Sequence, residues 1–173
     1  MRAEALFRDH NSPETPKPLP VIHSDLSPTG AEFTKREAQE ALLASEDPEH
    51  VAFGKQMSEK HVLIVNTWKP LHTVRDNHLG FCKWNSLSKE DAIKSTITIT
   101  DSETALQPWR YRKGQEWFYL SQQEKDEVYV FMQHDSRAGH GINVPHASFT
   151  FKEDRNKPST RMSFESVIIA LVE

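Results

Sequence analysis

From residue 61 onward the chain carries a succession of short segments rich in β-branched and aromatic residues, and this pattern constrains the fold most. Segment 61–66 is apolar on both faces, which is typical of a strand covered on both sides, so we expect it at the centre of a sheet. Further strands are predicted by the same criteria at residues 95–100, 116–120, 128–133, 144–151 and 163–172. A series of strands spaced by about ten to fifteen residues indicates a barrel or a sandwich.

Helices are predicted before these strands. Residues 31–45 are good helix formers with a rough apolar side. Asp47 and Pro48 form an N-cap followed by proline at the first helical position, so a second helix is expected to run to about Met57. Ser88 is predicted to cap a third, short helix. We therefore expect a mainly β domain with helices packed outside it.

The N-terminal residues differ from the rest of the chain. Residues 1–20 are polar and carry four prolines, which indicates an extended arm. The remaining residues, 21–173, are short enough for a single domain with one core. No basic segment followed by an apolar one opens the chain, and no apolar run approaches the roughly 20 residues of a membrane helix, so neither a secretory signal nor a membrane span is expected.

Charge and cysteine content narrow the classes of function. The net charge of −4 gives no basic footprint for nucleic acid or for anionic lipid. The single cysteine, Cys82, excludes an internal disulfide and favours a reducing, cytoplasmic location. We expect Cys82 to pack as a small apolar side chain.

A candidate metal site begins at His23 and Asp25. In an extended strand, residues two apart lie on the same face, so both side chains can reach one ion. With nine histidines in the chain, one such pair is also expected by chance, so a third ligand is required. His146, in a predicted strand of the C-terminal half, is the candidate. Two histidines and a carboxylate form the facial triad that binds non-haem Fe(II) and leaves coordination positions open.

Arg161 and Ser163 follow this histidine and form a candidate carboxylate-binding pair. They lie on the same face of a predicted strand. A guanidinium binds a carboxylate through two parallel hydrogen bonds, and the serine hydroxyl adds another. The order of a His-x-Asp pair, a late strand histidine and an Arg-x-Ser pair is what an oxygenase that uses Fe(II) and 2-oxoglutarate requires.

Several stretches of the sequence also resemble the AsaB-like hydroxylase/desaturase family. These stretches are HSDLSPTGA (23–31), NTWKPL (66–71), WFY (117–119) with DEV (126–128), DS (135–136), PHASF (145–149) and RMSFE (161–165). The resemblance implies a double-stranded β-helix of the jelly-roll or cupin type, Fe(II), and 2-oxoglutarate as cosubstrate with O₂. It also implies hydroxylation or desaturation of a small molecule, mostly in fungal secondary metabolism.

Family members usually carry a longer segment before the His-x-Asp strand, so on this interpretation the chain is an N-terminally short member, and a homo-oligomer is one expected consequence. Members also usually have a second arginine at the position of Val167. The family pattern therefore leaves open which basic residue binds the 2-oxoglutarate carboxylate.

Other residues and other functions remain as alternatives. Asn66 is a candidate contact of the cosubstrate, and Trp68 and Lys69 are candidate contacts of the substrate, although a tryptophan at position 68 is more strongly expected to pack in the core. A second metal cluster of His134, Asp135 and His140 is a weaker hypothesis. A β-barrel binding protein that has lost activity, and a cupin-type metal enzyme that needs no keto acid, are the alternative functions.

Overall fold

The computed structural model describes residues 5–9, 12–15, 18–94, 98–101, 104–138, 142–157 and 159–173. Two α-helices and nine strands make up the regular structure of this part of the chain. In chain order they are β1 (Ala5–Asp9), β2 (His23–Ser24), α1 (Pro28–Leu43), α2 (Pro48–Gln56), β3 (His61–Pro70), β4 (His78–Cys82), β5 (Gln107–Pro108), β6 (Trp117–Phe118), β7 (Tyr129–Asp135), β8 (His146–Phe149) and β9 (Met162–Val172). Short 3₁₀ turns lie at Trp84–Ser86, Lys89–Asp91 and Lys152–Asp154.

The strands form two antiparallel sheets that face each other. The first has the order β1-β9-β3-β7, and the second has the order β5-β2-β8-β4-β6. Trp68 and Phe131 of the first sheet pack against Leu79 and Phe81 of the second in one buried cluster. The predicted mainly β fold is confirmed, and β3 occupies the predicted central position in its sheet.

Both long helices begin at side-chain caps. The Gly30 amide donates to the Ser27 hydroxyl at the start of α1, and the Glu49 amide donates to the Asp47 carboxylate at the start of α2. In each helix a proline occupies the first turn, where its missing N–H costs no hydrogen bond. The sequence therefore predicted α2 closely, whereas α1 starts before the predicted residue 31.

Alternation along β3 determines where the site lies. Val62, Ile64, Asn66 and Trp68 are buried on the same face of the strand. Val62 and Ile64 pack in the core cluster that includes residues of α1, whereas Trp68 packs against the second sheet. Asn66 lies between these two apolar regions. A polar side chain of the central strand is therefore buried at the boundary between the core that contacts the helices and the core between the two sheets.

Several predicted elements differ from the structure. The predicted strand at 95–100 is wrong for residues 98–100, which form no strand, and its other residues lie outside the described part. Strands β1, β4 and β5 were not predicted. β5 has only two residues, and β4 includes a glycine, so neither shows a clear alternating pattern.

Candidate active site

The three proposed metal ligands meet at one point. His23 and His146 lie directly opposite each other in the pairing of β2 with β8, and Asp25 follows β2. The Asp25 Oδ1 atom lies 3.5 Å from Nε2 of His23 and 3.6 Å from Nε2 of His146. One ligand atom from each residue lies within 4.8 Å of the others. The pairing of two strands distant in sequence thus assembles the predicted His-Asp-His cluster.

Backbone carbonyls fix the orientation of both imidazole rings. Nδ1 of His23 lies 2.7 Å from the Val21 carbonyl oxygen, and Nδ1 of His146 lies 3.2 Å from that of Val144. A carbonyl only accepts hydrogen bonds, so each Nδ1 carries a proton and donates it, which leaves the Nε2 lone pair free in the neutral ring. Two lone pairs and a carboxylate oxygen therefore converge, and this donor set fits a divalent cation such as Fe(II).

Charges within the cluster favour an ionised carboxylate. Burial raises the pKa of Asp25, but the adjacent His146 and His23 lower it by more, so the pKa lies below its usual range. For His146, burial lowers the pKa, while the negative charge of Asp25 and its hydrogen bond raise it by more. A proton on His146 and a metal ion are thus alternative partners of the Asp25 carboxylate.

Two amide side chains hold Asp25 in place. Asn66 Nδ2 donates to Asp25 Oδ2 at 2.5 Å, and the Asp25 backbone amide donates to Gln133 Oε1 at 3.0 Å. The register of β7 against β3 shifts next to Ile64, and this bulge lies beside Gln133. Asn66 was predicted to bind cosubstrate, but the structure places it on Asp25. Gln133 was not predicted, because its role depends on the bulge.

A buried hydrogen-bond network supports the strand that carries His23. The Ser24 hydroxyl donates to the Asn143 carbonyl oxygen at 2.7 Å and accepts from Trp109 Nε1 at 2.8 Å. Asn143 Nδ2 in turn donates to the Leu26 carbonyl oxygen. These contacts link β2 to two distant loops, which makes the position of the two-residue strand well defined. Nothing in the spacing of Asn143 and Trp109 signals this role.

The predicted carboxylate-binding pair lies beside the metal ligands. Arg161 is only 3% exposed and lines the same cavity as His23 and His146. Its Nη1 donates to the Asn77 carbonyl oxygen at 2.7 Å, and its guanidinium carbon lies 5.3 Å from the Trp68 ring centroid. Burial, followed by the nearby positive charge of another arginine, lowers the Arg161 pKa to about 10.

Two polar atoms of this pair have no hydrogen-bond partner among the described residues. They are Arg161 Nε and the Ser163 hydroxyl oxygen, and both are buried. A buried donor without a partner is costly, about 1–3 kcal/mol, so such donors are rarely left unpaired in a folded protein. Arg161 lines the cavity, so an anion that enters it could accept from the guanidinium, and a carboxylate has the required acceptor oxygens.

The two proposed substrate contacts, Trp68 and Lys69, lie on opposite faces of β3. Trp68 is buried and lines the cavity. Lys69 is exposed and pairs with Phe164 on the opposite face of the sheet. The structure therefore does not bring Lys69 to the site, because successive strand residues point to opposite faces.

The described residues of the second proposed metal cluster have other partners. Nε2 of His134 lies 3.9 Å from Glu32, and Asp135 pairs with Arg137 at 2.8 Å. His140 lies outside the described residues. Within the described ranges, the His23, Asp25 and His146 cluster is the metal-type grouping that the side chains form. Cys82 is buried and forms no disulfide.

Comparison with known proteins places the chain in a family. A family model described as "Oxidoreductase/YMDC permease-like domain" matches residues 2–171. Across the described ranges, no helix has the length and apolar character needed to cross a membrane.

Curated relatives are fungal oxidoreductases. The alpha-ketoglutarate-dependent dioxygenase phiK of a fungal species is 26% identical over 147 residues, which is 82% of this chain and 49% of the relative. The alpha-ketoglutarate-dependent dioxygenase tstK of Talaromyces stipitatus is 25% identical, over 81% of this chain and 48% of the relative. The hydroxylase/desaturase efuI of Hormonema carpetanum is 23% identical, over 88% and 51%. The chain thus spans about half the length of the curated relatives it matches.

Solved structures share the fold. The iron and alpha-ketoglutarate-dependent endoperoxidase NvfI superposes with a TM-score of 0.70 at 18% identity, over 99% of this chain and 62% of NvfI. A variant of NvfI gives 0.74 at 18% identity, over 100% of this chain and 61% of the variant. This likeness confirms the predicted double-stranded β-helix, or jelly roll. The curated dioxygenase and hydroxylase/desaturase relatives support the predicted resemblance to the AsaB-like hydroxylase/desaturase family. The family model gives the assignment: the chain belongs to the Oxidoreductase/YMDC permease-like family.

Proposed function

We propose that this protein is a non-haem Fe(II)- and 2-oxoglutarate-dependent oxygenase that hydroxylates or desaturates a small molecule of secondary metabolism. One observation carries the proposal. Two imidazole lone pairs and a carboxylate converge in a cavity that also contains a buried arginine with an unpartnered donor. A metal ligand set and a carboxylate receptor side by side are what an oxygenase with a keto acid cosubstrate needs.

The proposed role of His23, Asp25 and His146 is to hold Fe(II). When bound, Fe(II) with 2-oxoglutarate and O₂ supplies oxidation of a C–H bond, with conversion of 2-oxoglutarate to succinate and CO₂. The chain supplies orientation. The carbonyls of Val21 and Val144 hold the imidazole rings, as backbone partners of metal-ligating histidines commonly do.

Arg161 and Ser163 are proposed to bind the distal carboxylate of 2-oxoglutarate. Both offer a buried donor without a partner among the described residues. Trp68 and Leu79 line the cavity and exclude water from it, which strengthens the attraction between the guanidinium and a carboxylate. The similarity to phiK and tstK, two alpha-ketoglutarate-dependent dioxygenases, and to the hydroxylase/desaturase efuI supports this cosubstrate and this type of reaction for the present chain.

Release of succinate tests the proposal without knowledge of the substrate. We expect the purified protein to convert 2-oxoglutarate slowly to succinate when Fe(II) and O₂ are both present. His146→Ala is expected to remove this turnover, because it deletes a metal ligand. His134→Ala is a matched control, since His134 is also a buried histidine but lies outside the cluster.

Two results would count against this function. If the folded wild-type protein releases no succinate above the rate of free Fe(II), the proposed activity is wrong. If His146→Ala retains the wild-type rate, the metal assignment is wrong. Fe(II) binding that is insensitive to 2-oxoglutarate would favour the cupin-type alternative.

A further inference from the structure

We propose that Arg8, which β1 brings to the cavity, is an additional carboxylate-binding residue for 2-oxoglutarate. When this ligand binds, Arg8 leaves its ion pair with Glu165 and binds the distal carboxylate of the ligand. The inference rests on the proposed function, which supplies 2-oxoglutarate as the ligand. It adds a residue from the N-terminal strand, far in sequence from the Arg-x-Ser pair.

The pairing of β1 with β9 places Arg8 beside that pair. Arg8 lies directly opposite Ser163 in the antiparallel register, and Leu6 lies opposite Glu165. Side chains of directly opposed residues share one face of the sheet, with Cβ atoms about 4.5–5.5 Å apart. Arg8 and Glu165 accordingly line the same cavity as His146 and Arg161. Two guanidinium groups, those of Arg8 and Arg161, therefore face one space, and Ser163 lies opposite Arg8 in the sheet.

Arg8 forms a loose ion pair with Glu165. Its Nη2 atom lies 3.7 Å from Glu165 Oε2, which is ion-pair distance but longer than a hydrogen bond. The side chains are partly exposed, at 16% and 12%. Glu165 has a second partner, since it accepts a hydrogen bond from Asn66 Nδ2 at 3.2 Å. If Arg8 turned to another anion, Glu165 would keep a hydrogen bond.

The cavity is small. Its volume is about 20 Å³, room for about one water molecule. 2-Oxoglutarate, a five-carbon dicarboxylate, therefore needs side chains to shift when it enters. Arg161 is 3% exposed and is held by the Asn77 carbonyl and the Trp68 ring. Arg8 lies on a five-residue strand at the edge of its sheet and its side chain is 16% exposed, so we expect Arg8 rather than Arg161 to shift.

The charges that face the cavity also favour an anionic ligand. Glu165 lines the cavity and lies at ion-pair distance from Arg8. Arg161 lines the same cavity, so two guanidinium groups face the space that a dicarboxylate would enter.

Anaerobic titration of the Fe(II)-loaded protein with 2-oxoglutarate tests the role of Arg8. The visible charge-transfer absorbance of the chelate reports the dissociation constant without turnover. We expect Arg8→Gln to raise this constant about tenfold or more, as loss of a hydrogen bond between charged groups does. Arg8→Lys is expected to recover part of the loss. Arg36→Gln is the matched control, because Arg36 is an exposed arginine on α1.

Two further measurements separate a binding role from a structural one. Glu165→Gln is expected to tighten 2-oxoglutarate binding several-fold, since it releases Arg8 from its competing carboxylate, whereas damage to the fold would weaken binding. Titration with 2-oxobutyrate, a keto acid without a distal carboxylate, is expected to be the same in wild type and Arg8→Gln.

The inference is wrong if Arg8→Gln binds 2-oxoglutarate like the wild type while Arg161→Gln binds it weakly. It is also wrong if Arg8→Gln weakens 2-oxobutyrate and 2-oxoglutarate equally, because Arg8 would then act on the metal centre or the fold. Absence of the absorbance band in wild-type protein would instead contradict the proposed function itself, and this inference with it.

Discussion

Asp25 is the residue on which the site depends, because it faces both imidazole rings and is itself held from two sides. Gln133 accepts the Asp25 backbone N–H, and Asn66 donates to the Asp25 carboxylate. Among the described residues, neither amide hydrogen-bonds to the histidines. Their role is to orient a ligand, and loss of a partner of this kind typically lowers metal affinity about 10- to 100-fold.

Gln133→Leu tests this positioning role. The substitution keeps the approximate size of the side chain but removes the acceptor of the Asp25 amide. We expect the Fe(II) dissociation constant to rise about 10- to 100-fold, measured by anaerobic competition with a coloured chelator. Gln39→Leu is the control, because the Gln39 amide donates to the Gly54 carbonyl oxygen and to the Ser58 hydroxyl, at and after α2. Equal metal affinity in wild type and Gln133→Leu would show that the bulge does not position Asp25.

At this scale the sequence predicted the residues whose role depends on local geometry. His23 and Asp25 share a strand face, as do Arg161 and Ser163, and that follows from a repeat of two residues. Gln133 could not be found in this way, because its position depends on a bulge and on the pairing of distant strands. Lys69 was predicted to contact the substrate, but its side chain lies on the face of β3 opposite to Trp68, which lines the cavity.

Among the elements, the start of α1 shows how a local signal can have two meanings. Ser27-Pro28-Thr29-Gly30 has the composition of a turn, which on local sequence alone favours the end of the preceding strand. In the structure it is the capped first turn of the helix. Serine followed by proline is also an N-cap signal, so the local sequence is compatible with both structures. In the helical structure, the start of α1 also contacts residue 105, because the Ser27 amide donates to the Ala105 carbonyl oxygen at 2.6 Å.

Gly30→Ala tests that contact between α1 and the loop at residue 105. In an open helix this change stabilises by about 0.5–1 kcal/mol. Here the added Cβ would lie 2.4 Å from the Ala105 carbonyl oxygen, so backbone must shift. Overpacking costs about 1–3 kcal/mol, so we expect net destabilisation, measured by urea unfolding. Thr29→Ala, at an exposed neighbouring position, is expected to change the unfolding free energy much less. Stabilisation by Gly30→Ala would mean that α1 is not packed against this loop.

Over the whole molecule, the sequence predicted the class of fold because many short strands need two facing sheets to bury their apolar sides. It did not predict the order of strands in those sheets. That order depends on long-range pairs such as β1 with β9 and β2 with β8, which link residues more than a hundred positions apart. The same pairs assemble the site. The cluster of His23, Asp25 and His146 therefore exists only when the second sheet has formed.

The most direct test of the account is the visible spectrum of the protein with Fe(II) and 2-oxoglutarate in the absence of oxygen. We predict a weak charge-transfer band that requires both additions, is lost in His146→Ala and persists in His134→Ala. Circular dichroism of each variant verifies that it is folded. A folded wild-type protein without the band, or a band that persists in His146→Ala, would contradict the central claim that these three side chains hold the metal beside a 2-oxoglutarate site.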